Sequence, residues 1–287
     1  MRIFSILSIL LILLSGCGSG HQDDRAAIAV SFEPQAWIIK QIAGDDFDIV
    51  TLLPAGSDPE TYQPSISTMK GLGKAKVYFT LGTEGFEKSL TSNIANNFPS
   101  LNVVDCTEGI DKIIGTHQHH SQDSQNHDTD EFDPHLLTSI KNSIQIADNI
   151  TRYLKLIQPE KAYAYQKAGE ELKAYLQAMD DSISNMNITG KSFAMRHPSL
   201  SYFARDYGLS QIALQNSGKE ASPVQLRRQM EQIKDSGTVV FIMEKEHATP
   251  GDEETAKQLG LQTIEVSFNS ADWLKDLLKT ANEINRD

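Results

Sequence analysis

AAIAVSFEPQAWIIKQIAGDDFDIVTLL, residues 26–53, reads as one strand–helix–strand unit. Apolar, β-branched runs at 26–31 and 47–53 flank a segment, 35–43, whose apolar residues recur at helical spacing. A helix of that size between two strands implies that they pair in parallel. The unit extends outward: KVYFTL (76–81) and LNVVD (101–105) continue the strands, with helices at 66–74 and 85–97. After residue 190 the pattern returns, with strands at 191–196 (KSFAMR), 211–215 (QIALQ), 238–243 (TVVFIM) and 262–266 (QTIEV). The expected class is α/β: two lobes, each a four-stranded parallel sheet with flanking helices.

Between the two sets of strands the sequence reads as helix. Pro134 suits the first turn of a helix running to about Leu156, and Pro159 that of a second running to about Met186. In the second, Tyr165, Ala168, Leu172, Leu176, Met179, Ile183 and Met186 form one apolar stripe at spacings of three and four. At 1.5 Å per residue such a helix reaches about 40 Å, enough to run along both lobes as a stiff strut. The expected division is an N-terminal lobe over 26–157, a linking helix over 158–188 and a C-terminal lobe over 189–287.

The first 16 residues carry one basic residue, Arg2, and an apolar run from Ile3 to Leu14, too short to span a bilayer but of signal-peptide length. Leu14-Ser15-Gly16-Cys17 resembles a bacterial lipobox, which would make Cys17 the lipidated mature N-terminus and residues 17–25 a tether. The protein is then expected in a bacterial cell envelope, lipid-anchored and facing the periplasm or the exterior. Cys106 is the only other cysteine, so no intramolecular disulfide is expected and no zinc site of several thiolates can be built. With 38 acidic against 26 basic residues, the chain carries a net charge of −12. That balance repels phosphate backbones and argues against a nucleic-acid partner. At 39% hydrophobic residues, the 287-residue chain can fill two cores and is not intrinsically disordered.

Any metal site must therefore use nitrogen and oxygen donors. Four of the eight histidines, His117, His119, His120 and His127, fall in a segment (116–131) without a core-forming run, which reads as a mobile loop offering weak auxiliary metal sites. The other candidates follow strands: Glu60 after 47–53, His197 directly after 191–196, Glu244 and Glu246 after 238–243. Ligands of open α/β sheets bind beyond the carboxyl ends of the strands. His135 lies at the start of a helix, after the histidine-rich segment.

FDPH at 132–135, HPSLSYFARDYGL at 197–209 and GSDPETYQPSISTMKGLGKAKVYFTLG at 56–82 resemble the metal-ligand segments of the zinc and manganese solute-binding proteins of ABC transporters, the cluster A-I or TroA-like family. The resemblance runs from Ala26 to the C-terminus, and a histidine-rich insertion before DPH is typical of zinc-type members. It implies metal ligands at Glu60, His135 and His197. Two departures stand out: Glu60 replaces the family's usual first histidine, and the usual fourth carboxylate falls near Ser267, a poor ligand. The fourth position stays open among Glu246, which is preferred, Glu244, His247 and a water.

The function the resemblance implies is capture of Zn2+ in an interlobe cleft and delivery to a membrane permease and, through it, its ATPase, by a monomer touching the membrane only through its lipid. Mn2+ or Fe2+ is the first alternative, because a carboxylate at residue 60 hardens the site. An adhesin on the same fold and a zinc hydrolase are the others. Against the hydrolase, the chain has neither an HExxH nor a GxSxG motif.

Overall fold

The computed structural model describes residues 25–82, 85–114, 132–216 and 219–286. The expected signal peptide, Cys17 and the histidine-rich segment with His117, His119, His120 and His127 lie outside the described residues.

The first lobe is built as β1 (Ala26–Val30), α1 (Glu33–Ala43), β2 (Phe47–Thr51), α2 (Ile66–Leu72), β3 (Ala75–Thr80), α3 (Gly85–Asn97) and β4 (Asn102–Asp105). Its sheet has the order β2-β1-β3-β4, every pair parallel. A 3-10 turn (Leu136–Thr138), α4 (Ile140–Ile157), a second 3-10 turn (Pro159–Lys161) and α5 (Ala162–Ser184) follow. The second lobe continues with β5 (Ser192–Met195), α6 (Ser201–Tyr207), β6 (Ser210–Ala213), a small hairpin of β7 (Gln215–Asn216) and β8 (Lys219–Glu220), α7 (Pro223–Asp235), β9 (Val240–Glu244), α8 (Gly251–Leu259), β10 (Gln262–Val266) and α9 (Trp273–Asn285). Its main sheet is parallel throughout, in the order β10-β9-β5-β6.

The expected two-sheet α/β class holds, and the two prolines need correction. Neither Pro134 nor Pro159 opens an α-helix; each leads into a 3-10 turn, and the α-helices begin at Ile140 and Ala162. At Ile140 the reason is local: Ser139 is extended (φ −109°, ψ 125°) and its side chain accepts from the Asn142 N–H, so Ser139 caps α4. The 23 residues of α5 span about 35 Å.

Four of the stripe residues, Tyr165, Leu172, Leu176 and Ile183, are buried, and Met179 and Met186 pack partly against the same core. That core is contiguous through both lobes, and a smaller one lies under Ile212, Ile233 and Phe241 in the second lobe. Trp37 of α1 and Trp273 of α9 meet with ring centroids 5.4 Å apart, so the lobes touch directly as well as through α5. Among the described residues no helix is long and apolar enough to cross a membrane.

Helices α4 and α5 approach closely at Gly169, where a β-carbon would stand 2.6 Å from Thr151 Oγ1 and 2.8 Å from its Cγ2. Gly169→Ala should therefore cost about 1–3 kcal/mol of stability despite the better helix propensity of Ala. That cost should vanish when Thr151 is also changed to Ala. Urea unfolding of the four proteins checks this; an equal cost in both backgrounds would mean the helices do not meet there.

Candidate metal centre

In each sheet the chain starts at an inner strand, moves to one side and returns to the other. The order therefore reverses between β1 and β3 in the first lobe and between β5 and β9 in the second. Loops leaving the carboxyl ends on either side of such a point diverge and leave a crevice. Phe32, after β1, and Leu81, after β3, line one wall of a cavity whose other wall carries Glu244 and His247, from the end of β9 and the turn beyond it; His135 lines it too. The cavity holds about 20 Å³, room for one ion or one water.

Two of the candidate side chains are presented by the same local device. In Asp58-Pro59-Glu60, Asp58 Oδ1 accepts the Glu60 N–H at 2.8 Å; in Asp133-Pro134-His135, Asp133 Oδ1 accepts the His135 N–H at 3.0 Å. An aspartate bonding the backbone two residues on closes an Asx turn, and the intervening proline fixes its φ, so the third residue is held at the tip. Thr61 Oγ1 donates to Asp58 Oδ2 at 2.9 Å and the Tyr62 hydroxyl to the Leu52 carbonyl at 2.8 Å, tying the Glu60 loop down.

Asp133 Oδ1 also lies 2.8 Å from His135 Nδ1. Burial pushes the Asp133 carboxyl up, but the charge and hydrogen bonds of His135 outweigh it and hold Asp133 below the usual range. An ionised carboxylate only accepts, so Nδ1 carries a proton and Nε2 is the nitrogen turned toward the site. That nitrogen lies 3.1 Å from His197 Nε2. The His197 side chain is 1% exposed, and burial, then the neighbouring His135 and His247, push its pKa down to about 2, so the ring is neutral and able to ligate without losing a charge.

Glu60 Oε1 stands 3.6 Å from the same His197 nitrogen. Donors around a tetrahedral zinc ion lie ~3.3 Å apart, given Zn–N and Zn–O bonds near 2.0–2.1 Å. The two observed separations, 3.1 and 3.6 Å, bracket that figure. Among the described residues no three His, Cys, Asp or Glu side chains already form a finished ion cage. What the fold supplies is convergence of Glu60 and His135 on one nitrogen of His197.

Around this trio the alternatives for the fourth position separate. His247 stacks on His197, with ring centroids 4.1 Å apart and planes at 22°, and its Nδ1 is 4.0 Å from Asp58 Oδ1. Its pKa is lowered, chiefly by burial. Glu246, preferred from the sequence, has one carboxylate oxygen engaged by the Ser267 hydroxyl and the other buried with no hydrogen-bond partner among the described residues. Glu244 accepts from Ser199 Oγ at 2.6 Å, and burial pushes its carboxyl up to about 7. Sequence reasoning missed Asp58 and Asp133 as the residues that aim Glu60 and His135, although the repeated Asp-Pro-X pattern was available as a signal.

Known proteins resemble this chain in sequence and in fold. The zinc-binding lipoprotein AdcA of Streptococcus pneumoniae (strain TIGR4) is 26% identical over 278 residues, covering 92% of this chain but only 54% of that protein, so the chain spans about half its curated relative. A putative metal-binding protein of Chlamydia muridarum is 29% identical over 236 residues, 80% of either chain. A crystal structure of ZnuA superposes with a TM-score of 0.80 at 25% identity, over 91% of this chain and 98% of that one. The family described as zinc-uptake complex component A, periplasmic, matches residues 28–284, and the chain belongs to that family.

Proposed function

We propose that this protein is the extracytoplasmic capture component of an ABC importer, that it takes Zn2+ as its cargo between the lobes, and that it passes the ion to a permease driven by an ATPase. The observation that carries the reading is the pair of facing imidazole nitrogens 3.1 Å apart with a carboxylate oxygen 3.6 Å from one of them, beside a cavity of about 20 Å³. Such a cavity is of a size to take a single ion. The family membership, and relatives named as zinc-binding, support zinc as the cargo. Glu60, His135 and His197 form the ligand set in this reading, with His247, stacked on His197, as the fourth donor. Glu246 is assigned to holding Ser267. Lipid at Cys17 would keep the monomer beside its permease, making repeated capture and delivery local events.

Glu60 supports a second reading, Mn2+ or Fe2+ as cargo, because a carboxylate suits harder ions than imidazole does. The three imidazoles of the proposed set outweigh it. Metal analysis of protein purified without chelator or affinity tag, followed by Zn2+–Mn2+ competition, decides between them; a protein that holds manganese in the presence of equimolar zinc would overturn the first reading.

His197→Ala should abolish tight Zn2+ binding while the metal-free protein unfolds near the wild-type temperature, since the ring serves the ion and the surrounding core packs without it. A large loss of metal-free stability with zinc affinity intact would mean that the histidine is structural.

Glu60→His should keep zinc binding and raise the preference for Zn2+ over Mn2+, whereas Glu60→Ala should weaken both. Competitive titration checks the series; affinities in Glu60→Ala equal to wild type would remove Glu60 from the ligand set.

A further inference from the structure

Two C-terminal-lobe imidazoles meet across loops that a single buried ion pair ties together. Arg196, the residue before His197, donates to Asp252 Oδ1 through Nε at 2.6 Å and Nη2 at 2.5 Å. Asp252 is 1% exposed and sits in the first turn of α8, where its other oxygen, Oδ2, accepts the Thr249 N–H at 2.7 Å. Thr249 lies two residues beyond His247, whose own N–H donates back to the Glu244 carbonyl at 2.9 Å. On the other side, the Arg196 carbonyl accepts from the Gln215 N–H at 2.8 Å, which fixes the strand end from which His197 departs. The circuit closes where the His197 and His247 rings stack, 4.1 Å between centroids.

Nothing in the zinc reading requires this ion pair. A buried pair costs desolvation and gives little net stability over apolar residues of the same shape, so its use lies in the geometry it fixes. Here that geometry is the separation of two loops, one ending in His197 and the other carrying His247. We propose that Asp252, acting through Arg196 and Thr249, is a positioning residue that sets the His247 turn against His197, so that the fourth donor stands in place before the ion arrives. The proposal rests on the reading of His247 as a ligand, and the experiment keeps the two apart.

Zn2+ affinity is measured by competition for the wild type, His247→Ala, Asp252→Asn and the double variant, with the Co2+ absorption spectrum of each as a report on coordination. Asp252→Asn keeps the shape and removes the charge. It should weaken Zn2+ by tenfold or more in the wild-type background, less than twofold when His247 is already Ala, and change the Co2+ bands as His247→Ala does. Arg196→Lys, which keeps the charge, should retain most of the affinity, and Arg196→Gln, which removes it, stands in for Asp252→Asn in the cycle if that variant does not fold. Equal losses in both backgrounds would overturn the proposal and leave the ion pair a general support of the lobe. An unchanged affinity in His247→Ala would instead remove His247 from the ligand set.

Discussion

His135 Nε2 faces His197 Nε2 across 3.1 Å in a largely buried site, and two facing imidazole nitrogens need positive charge between them. His135 Nδ1–H is directed at Asp133, whose carboxyl is held below the usual range, and burial pushes His197 far below the usual imidazole range. In the metal-free protein that charge is a proton shared between the two nitrogens. A divalent cation offers the same nitrogens more charge than that proton does, which is why this pair stands at the centre of the proposed ligand set. The Asp133 turn, the crevice between β5 and β9 and the burial of both rings are what keep the two nitrogens facing.

That contact also crosses the lobes, and the chain fastens the crossing from the C-terminal side. The Tyr202 hydroxyl of α6 donates to the Asp133 carbonyl at 2.8 Å and accepts the Ile113 N–H at 3.1 Å. Arg205 reaches the Asp111 carbonyl at 2.8 Å, and the Ser139 hydroxyl donates to Asp206. By sequence His135 belongs to the first lobe, yet its turn is pinned to a helix of the second, so His135 and His197 are held as one unit. Glu60 hangs from a different loop, which hydrogen bonds to Asp58 and Leu52 fasten to its own lobe. The sharing of core across α5 and the Trp37–Trp273 contact restrain the lobes further.

The strands were legible because fully buried parallel strands must be apolar on both faces: Ser192–Met195 and Val240–Glu244 are buried at every residue. Helix starts were less so. Proline permits a first turn without deciding whether it is α or 3-10, and at Ile140 the decision lay in the Ser139 cap, five residues beyond Pro134. Glu60, His135 and His197 could be named from the sequence because each stands in a recognisable segment next to proline. The fourth donor could not, because Glu244, Glu246 and His247 lie within four residues and only the tertiary packing separates them: Glu244 bonds Ser199, Glu246 bonds Ser267, His247 stacks on His197. The role of Asp252 was invisible for a related reason, since it acts through Arg196, 56 residues away, which the fold alone brings near.

Burial divides the donors in a way that bears on how a cargo site can hold and yet let go. The side chain of His197 is 1% exposed and those of His135 and His247 are 11% and 9%, whereas that of Glu60 is 30%. Water reaches the carboxylate first, so exchange of a bound ion begins by replacing the only anionic donor of the proposed set. Losing a carboxylate raises the net charge of the remaining complex from +1 to +2, counting the imidazoles as neutral, and that higher charge is costly to keep in a site of low dielectric. Detachment of Glu60 therefore weakens the hold of the site by more than one bond, and a thiolate in its place would have made the first step slower. Placing the anionic donor on the outermost loop, and the neutral ones in a preset interior, gives a site that closes tightly on an ion and opens from one edge.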